Sequence, residues 1–144
     1  MGGLLKSVLL LMILASLCVG CATPLTPEQQ SQLNIAMTSP LDFNADKSES
    51  SDVWGRAQSF IGRFSSMKLQ IATDYVIQTY NPDPNGLDAF GYYITKTPVG
   101  ESDEFNVKCV TNDAIFSGGR ADQNAHILAY YMKTGTLLDF AISR

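Results

Sequence analysis

Ser65-Ser66-Met67-Lys68 sets a hydroxyl and an amine three residues apart, and Lys133-Thr134-Gly135 places a second ammonium beside a hydroxyl and a glycine. In the right setting the first pair is a nucleophile with its base: Lys68 would take the Ser65 proton and the freed oxygen would attack a carbonyl carbon. Three other groups call for a chemical reading. His126 is the only histidine, Cys109 follows the alternating apolar residues Phe105 and Val107, and Asp74 stands inside an apolar-rich stretch. A lone histidine does not assemble a His–Cys metal set, and no Gly-x-Ser-x-Gly turn is present to present a serine to a base. Nothing here assigns a catalytic residue, a metal or a cofactor.

Ser-x-x-Lys and Lys-Thr-Gly are signatures of penicillin-binding proteins and serine β-lactamases, so the match is tested by its setting. In that family the serine opens a helix and Lys-Thr-Gly lies on a strand. Here the spacing predicts that Ser65 ends a helix, that Lys68 opens a strand, and that Lys133 to Gly135 falls at a helix end. The third motif of the family has no counterpart between them. The two tripeptide-scale matches are read as coincidence, and the chain is expected not to be an enzyme. His126 is read as a half-buried or surface side chain in mid-helix, and Cys109 as a strand thiol facing the core, with Lys108 on the opposite face. Ser117-Gly118-Gly119-Arg120 lacks the lysine and spacing of a phosphate-binding loop.

The elements that must position these groups follow from periodicity. Thr26-Pro27-Glu28-Gln29 is a helix start, with Thr26 as cap, Pro27 in the first turn and Gln29 completing a capping box; Leu33, Ala36 and Met37 then share a face up to Ser39-Pro40. Asp42 to Asp52 is polar and acidic and reads as a linker. Val53, Trp54, Ala57, Phe60, Ile61 and Phe64 recur at three and four, the stripe of an amphipathic helix. Met67 to Tyr80 changes to a period of two. It predicts one strand with Leu69, Ile71, Tyr75 and Ile77 on one face and Gln70, Asp74 and Gln78 on the other.

Turn residues from Asn81 to Gly86 end that strand; a second is predicted near Phe90 to Thr97 and a third near Glu104 to Thr111, joined through Pro98 to Ser102. Ala114 to Phe116 read as a brief strand or plug. Residues 121–134 read as a helix with Ala121, Ala125, Leu128, Tyr131 and Met132 as its stripe, stopped by Gly135, and Thr136 to Ser143 as a weak edge strand. The fold class expected is α+β: a small antiparallel sheet of three to four strands, packed on one face by two helices and preceded by a tether.

The N-terminus bears on location. A cationic start at Lys6 precedes the apolar run Val8 to Leu17 and the small-residue site Val19-Gly20-Cys21. The run is shorter than the roughly 20 residues that cross a bilayer. This leader resembles the signal of bacterial lipoproteins, with Cys18 where the family has an aliphatic residue. The resemblance implies residues 1–20 as signal peptide, lipidation of Cys21, residues 21–50 as a lipidated tether with a short helix, and residues 51–144 as a globular domain. It also implies anchoring in the bacterial envelope; Ala22 in place of the aspartate that retains family members in the inner membrane favours the outer membrane, with the domain facing the periplasm. Several acyl chains, each methylene contributing about 0.8 kcal/mol, give lasting attachment.

Removal of the leader takes Lys6 from the ten Lys and Arg, leaving nine against 14 Asp and Glu, a net charge of −5. With the charges interspersed and no basic stripe, nucleic acid is not an expected partner. Two functional readings remain. The first is a non-enzymatic accessory module that binds another envelope protein through the outer face of its sheet, where Asp74, Val76, Gln78 and Tyr93 are expected. The second is a small-ligand or cell-wall-binding module with a cleft between sheet and helices near residues 112–120.

Overall fold

The computed structural model describes residues 24–84, 89–112 and 114–143, with side chains from 118 onward in the last segment. Three helices and five strands follow in the order α1 (Pro27–Met37), β1 (Asp42–Asp46), α2 (Lys47–Phe64), β2 (Leu69–Ala72), β3 (Val76–Thr79), β4 (Phe90–Val99), β5 (Ser102–Thr111) and α3 (Ala114–Thr134). The sheet is antiparallel throughout, in the order β1-β5-β4-β3-β2. β1 and β2 therefore form its two edges and run in the same direction. α2 joins them, and the β2-β3-β4-β5 meander fills the space between. The fold is α+β, as the alternating and helical periods imply, with five strands rather than three or four.

One face of the sheet is the core. Phe43 on β1, Phe105 and Val107 on β5, Phe90, Tyr92 and Ile94 on β4 and Ile77 on β3 all point to it and are buried. Period-two alternation sends their neighbours to the other side. α2 covers this face with the stripe Val53, Trp54, Ala57, Phe60, Ile61 and Phe64. Aromatic rings make the joint: Phe43 stacks on Phe105 at 5.4 Å, Trp54 lies 6.3 Å from Phe105, and Phe60 meets Tyr92 edge-on at 5.7 Å. α3 crosses β5 and is enclosed more fully than its predicted stripe, because α1 packs against it as well; Ile127 and Ala129 are buried beside Ala121, Ala125, Leu128 and Met132.

The end signals act as expected at two helices. Thr26 and Gln29 form the reciprocal capping box of α1, and Gly135, at φ 75°, ends α3 with its amide on the Tyr131 carbonyl at 2.8 Å. A side chain at that φ would be strained, so glycine suits the stop.

Five readings change. The acidic stretch from Asp42 to Asp52 is strand β1 and the first turns of α2, because pairing with β5 supplies the order that its composition lacks; Phe43 and Ala45 face inward. α1 belongs to the core through Leu33 and Ala36. Ala114 to Phe116 open α3, and the segment after Gly135 holds a 3₁₀ turn at Asp139–Ala141 in place of an edge strand. Finally, the strand expected from Met67 to Tyr80 is a hairpin. Thr73 turns it: its hydroxyl accepts from the amides of Tyr75 and Val76 at 3.2 and 2.9 Å, and its own amide donates to the Val76 carbonyl at 2.9 Å.

Candidate functional site

All three helices lie on one side, so the other side of the sheet is the large unoccupied surface of the described residues. Its composition is set strand by strand. β3 contributes Val76 and Gln78, β4 contributes Tyr93 and Thr95, and β5 contributes Asn106, Lys108 and Val110. Antiparallel register lines these residues into rows. Val76, Thr95, Asn106 and Asp42 stand opposite one another across four strands, and Gln78, Tyr93 and Lys108 across three. Directly opposite side chains of this kind are within contact reach.

Val76, Gln78 and Tyr93 thus share the outer face. Asp74 does not. It occupies the tip of the β2–β3 hairpin, beside the exposed Tyr75, because the Thr73 turn takes it out of the ladder. Apolar side chains stay exposed on this side of the sheet: Tyr93 and Ile71 are each 39% exposed, and Tyr80 is 52% exposed. A bulge between Leu69 and Ile71 sets Ile71 opposite Gln78, which adds it to the outer face. An antiparallel sheet normally coats its solvent face with polar groups, so exposed aromatic and aliphatic side chains are the informative departure.

A depression of about 220 Å³ opens in this face, lined by Gln78, Asn81, Tyr92, Tyr93, Lys108 and Val110. A second concavity of about 340 Å³ lies between the end of β5 and the start of α3, lined by Cys109, Val110, Thr111, Gly118, Ala121 and Asp122. It occupies the region where the sequence places a cleft.

The residues with chemical potential are dispersed. Ser65 caps the end of α2, its hydroxyl donating to the Met67 carbonyl at 2.9 Å and accepting from the Met67 amide at 3.1 Å; Lys68 precedes β2. Lys133 and Thr134 end α3, where the Thr134 hydroxyl donates to the Tyr130 carbonyl at 2.8 Å. Both settings differ from those an acylating serine requires. His126 holds the turn after α1, with Nδ1 2.8 Å from the Ser39 carbonyl oxygen and Nε2 3.8 Å from Asp122, a carboxylate one helical turn away that the sequence reading passed over. Among the described residues, no three His, Cys, Asp or Glu side chains gather as metal ligands, and no helix is long and apolar enough to cross a membrane.

Two titratable sites are built into the packing. Cys109 is half-buried against Tyr92, and burial pushes its thiol up to about 12. Burial likewise raises the Tyr92 phenol, whose oxygen accepts from the Asn124 carboxamide at 3.2 Å. Asp103, at the start of β5, is buried and accepts from the Lys47 ammonium and the Ser50 hydroxyl, both on α2. The Lys47 hydrogen bond, then that of Ser50, hold its carboxyl below the usual carboxylate range. The sequence reading missed Asp103 and Asn124; each is a polar residue in phase with an apolar set, which is the available signal. Cys21 lies outside the described residues.

Set against known protein families, curated proteins and solved structures, the chain matches none of them.

Proposed function

We propose that the protein is a bacterial envelope lipoprotein, tethered through a lipid on Cys21, whose non-enzymatic domain docks another envelope protein on the outer face of its sheet. One observation carries the docking: the three helices of the described residues cover the inner face, while the outer face keeps Tyr93, Tyr80 and Ile71 exposed around half-buried Val76 and Val110. Tyrosines give a contact surface large area at low entropy cost, and interface centres are enriched in them. The lipid expected at Cys21 supports this reading by holding the domain at a membrane, which leaves its own surface for a protein partner.

A photo-reactive phenylalanine analogue placed at Tyr93, Gln78 and, as a control on α2, Gln58 tests the surface in cells. The expected outcome is one discrete protein adduct from Tyr93 and Gln78, absent from Gln58 and lost on Tyr93→Glu in a chain probed from Gln78. Equal adducts from both sides of the domain would defeat it. In the same cells Cys21→Ala should move the chain from the membrane fraction to the soluble one.

The concavity beside Cys109 and Asp122 supports the second reading, a small-ligand or cell-wall module. Thr111→Trp would fill it. Retention on insoluble cell-wall fragments that Thr111→Trp abolishes and Tyr93→Glu leaves intact would favour this reading over docking.

A further inference from the structure

We infer that the depression on the outer face is a socket for a carboxylate, filled by an acidic side chain of the docked protein; this rests on the docking reading above. Gly91, opposite Val110 in register, lets the chain leaving β3 close down on the sheet: a Cβ there would stand 3.0 Å from the Tyr80 carbonyl oxygen and 3.1 Å from Pro82 Cδ. The depression is lined by Gln78, Asn81, Tyr92, Tyr93, Lys108 and Val110. A volume of about 220 Å³ is below the range of drug-sized sites, and it suits the head of one side chain.

The lining selects the ligand. Lys108 supplies a full positive charge, with Tyr93 beside it in register and Gln78 beyond. Among the described residues no carboxylate pairs with Lys108, and neither the Asn81 carboxamide nor the Tyr93 hydroxyl makes a hydrogen bond. Gln78 donates once, to Gln70 at 3.2 Å. The free donors are therefore an ammonium, amides and a phenol, set against an aromatic ring: a carboxylate oxygen is the acceptor they match, with the methylenes that carry it lying on the ring. The chain's own acids on this sheet sit elsewhere. Asp46, Glu101 and Glu104 gather at the β4–β5 turn, and Asp42 is held by the Asn106 amide. An otherwise acidic protein thus keeps a cation facing outward beside this depression, where it complements an acidic partner at short range.

The test uses the full chain, isotope-labelled in detergent micelles, and two capped tripeptides as probes, acetyl-Ala-Glu-Ala-amide and its glutamine counterpart. The glutamate peptide should shift the amide resonances of Gln78, Tyr93 and Lys108 saturably, with an apparent affinity at least about fivefold above that of the glutamine peptide. Lys108→Gln should abolish the preference and Lys108→Arg should keep it. Raised salt should weaken it, since the charge is exposed. Equal responses to the two peptides, or shifts scattered over the surface, overturn the socket. Tyr93 cross-links that survive Lys108→Gln at full yield also overturn it while leaving the docking face standing. A response to the glutamate peptide without any Tyr93 adduct overturns docking, and with it the assignment of the carboxylate to a docked protein.

Discussion

The Asn124 carboxamide clamps the backbone of Ser143: Nδ2 donates to the Ser143 carbonyl and Oδ1 accepts from the Ser143 amide, each at 2.9 Å. The pair imitates one rung of a β-ladder with a side chain in place of a strand. It explains how the segment after α3, which holds a 3₁₀ turn and no strand, stays on the core, helped by the buried Leu138 and by Gln123, which donates to the Ala141 carbonyl at 2.6 Å.

Asn124 is fully buried and also donates to Tyr92, so its removal leaves several groups without partners at once. Asn124→Ala should cost about 2–4 kcal/mol in urea unfolding, at the upper end of single-residue effects, because unsatisfied buried polar groups each cost about 1–3 kcal/mol. Hydrogen exchange at the Ser143 amide should rise toward that of an open chain. A loss under 1 kcal/mol would show that the clamp is decorative.

Asp103 gives the protein an acid limb. Its folded carboxyl lies below its ordinary value of 3.8, so the unfolded chain binds the proton first as pH falls. The stability it contributes is complete above that value and is lost as pH falls through the lower, folded one. Thermal melts between pH 5 and pH 2 should therefore fall with acid in the native chain and fall less steeply in Asp103→Asn, whose group does not titrate. Parallel curves would remove Asp103 from the acid response.

Cys109 and Tyr92 give the opposite limb. Burial holds both protons on in the fold, the thiol up to about 12, while the unfolded thiol loses its own near 9. Stability should then decline as pH rises past about 9, because the native state binds more protons there than the unfolded one. Cys109→Ser should soften the decline. The same cause predicts slow chemistry: at pH 8 the native thiol should react with a maleimide at least about tenfold more slowly than in denaturant, the scarcity of thiolate outweighing its greater nucleophilicity.

These sites show what a sequence makes legible. Spacing of three and four exposed α2 because its stripe meets one flat sheet, and alternation exposed the inward faces of β4 and β5 for the same reason. β1 escaped because only Phe43 and Ala45 of its five residues turn inward; its order comes from pairing with a strand some 60 positions away. The β2–β3 hairpin escaped because β-branched residues continue through the turn, although Thr73-Asp74 carries turn chemistry. Alternation could place Val76, Gln78, Tyr93 and Lys108 on the outer face. It could not place Gln78 and Lys108 on either side of Tyr93, since that depends on loop lengths that fix register.

Gly91 ties the fold to the proposed surface, and its replacement separates packing from recognition. A methyl group there must push against the Tyr80 carbonyl, which is backbone and does not yield as a flexible side chain would; Pro82 and the Thr79 hydroxyl, at 3.3 Å, close the other sides. The 79–82 segment has to move out by a few tenths of an ångström, and Thr79 is the group that accepts from the Tyr92 amide at 2.8 Å. Gly91→Ala should therefore cost about 1–3 kcal/mol, the usual range for forcing extra volume into a packed site. It should also displace Asn81 from the depression, weakening the glutamate-peptide response while Lys108 and Tyr93 remain in place. Full stability together with an unchanged peptide response would show that the segment after β3 is free to move, and that neither the close approach nor the shape of the depression depends on glycine.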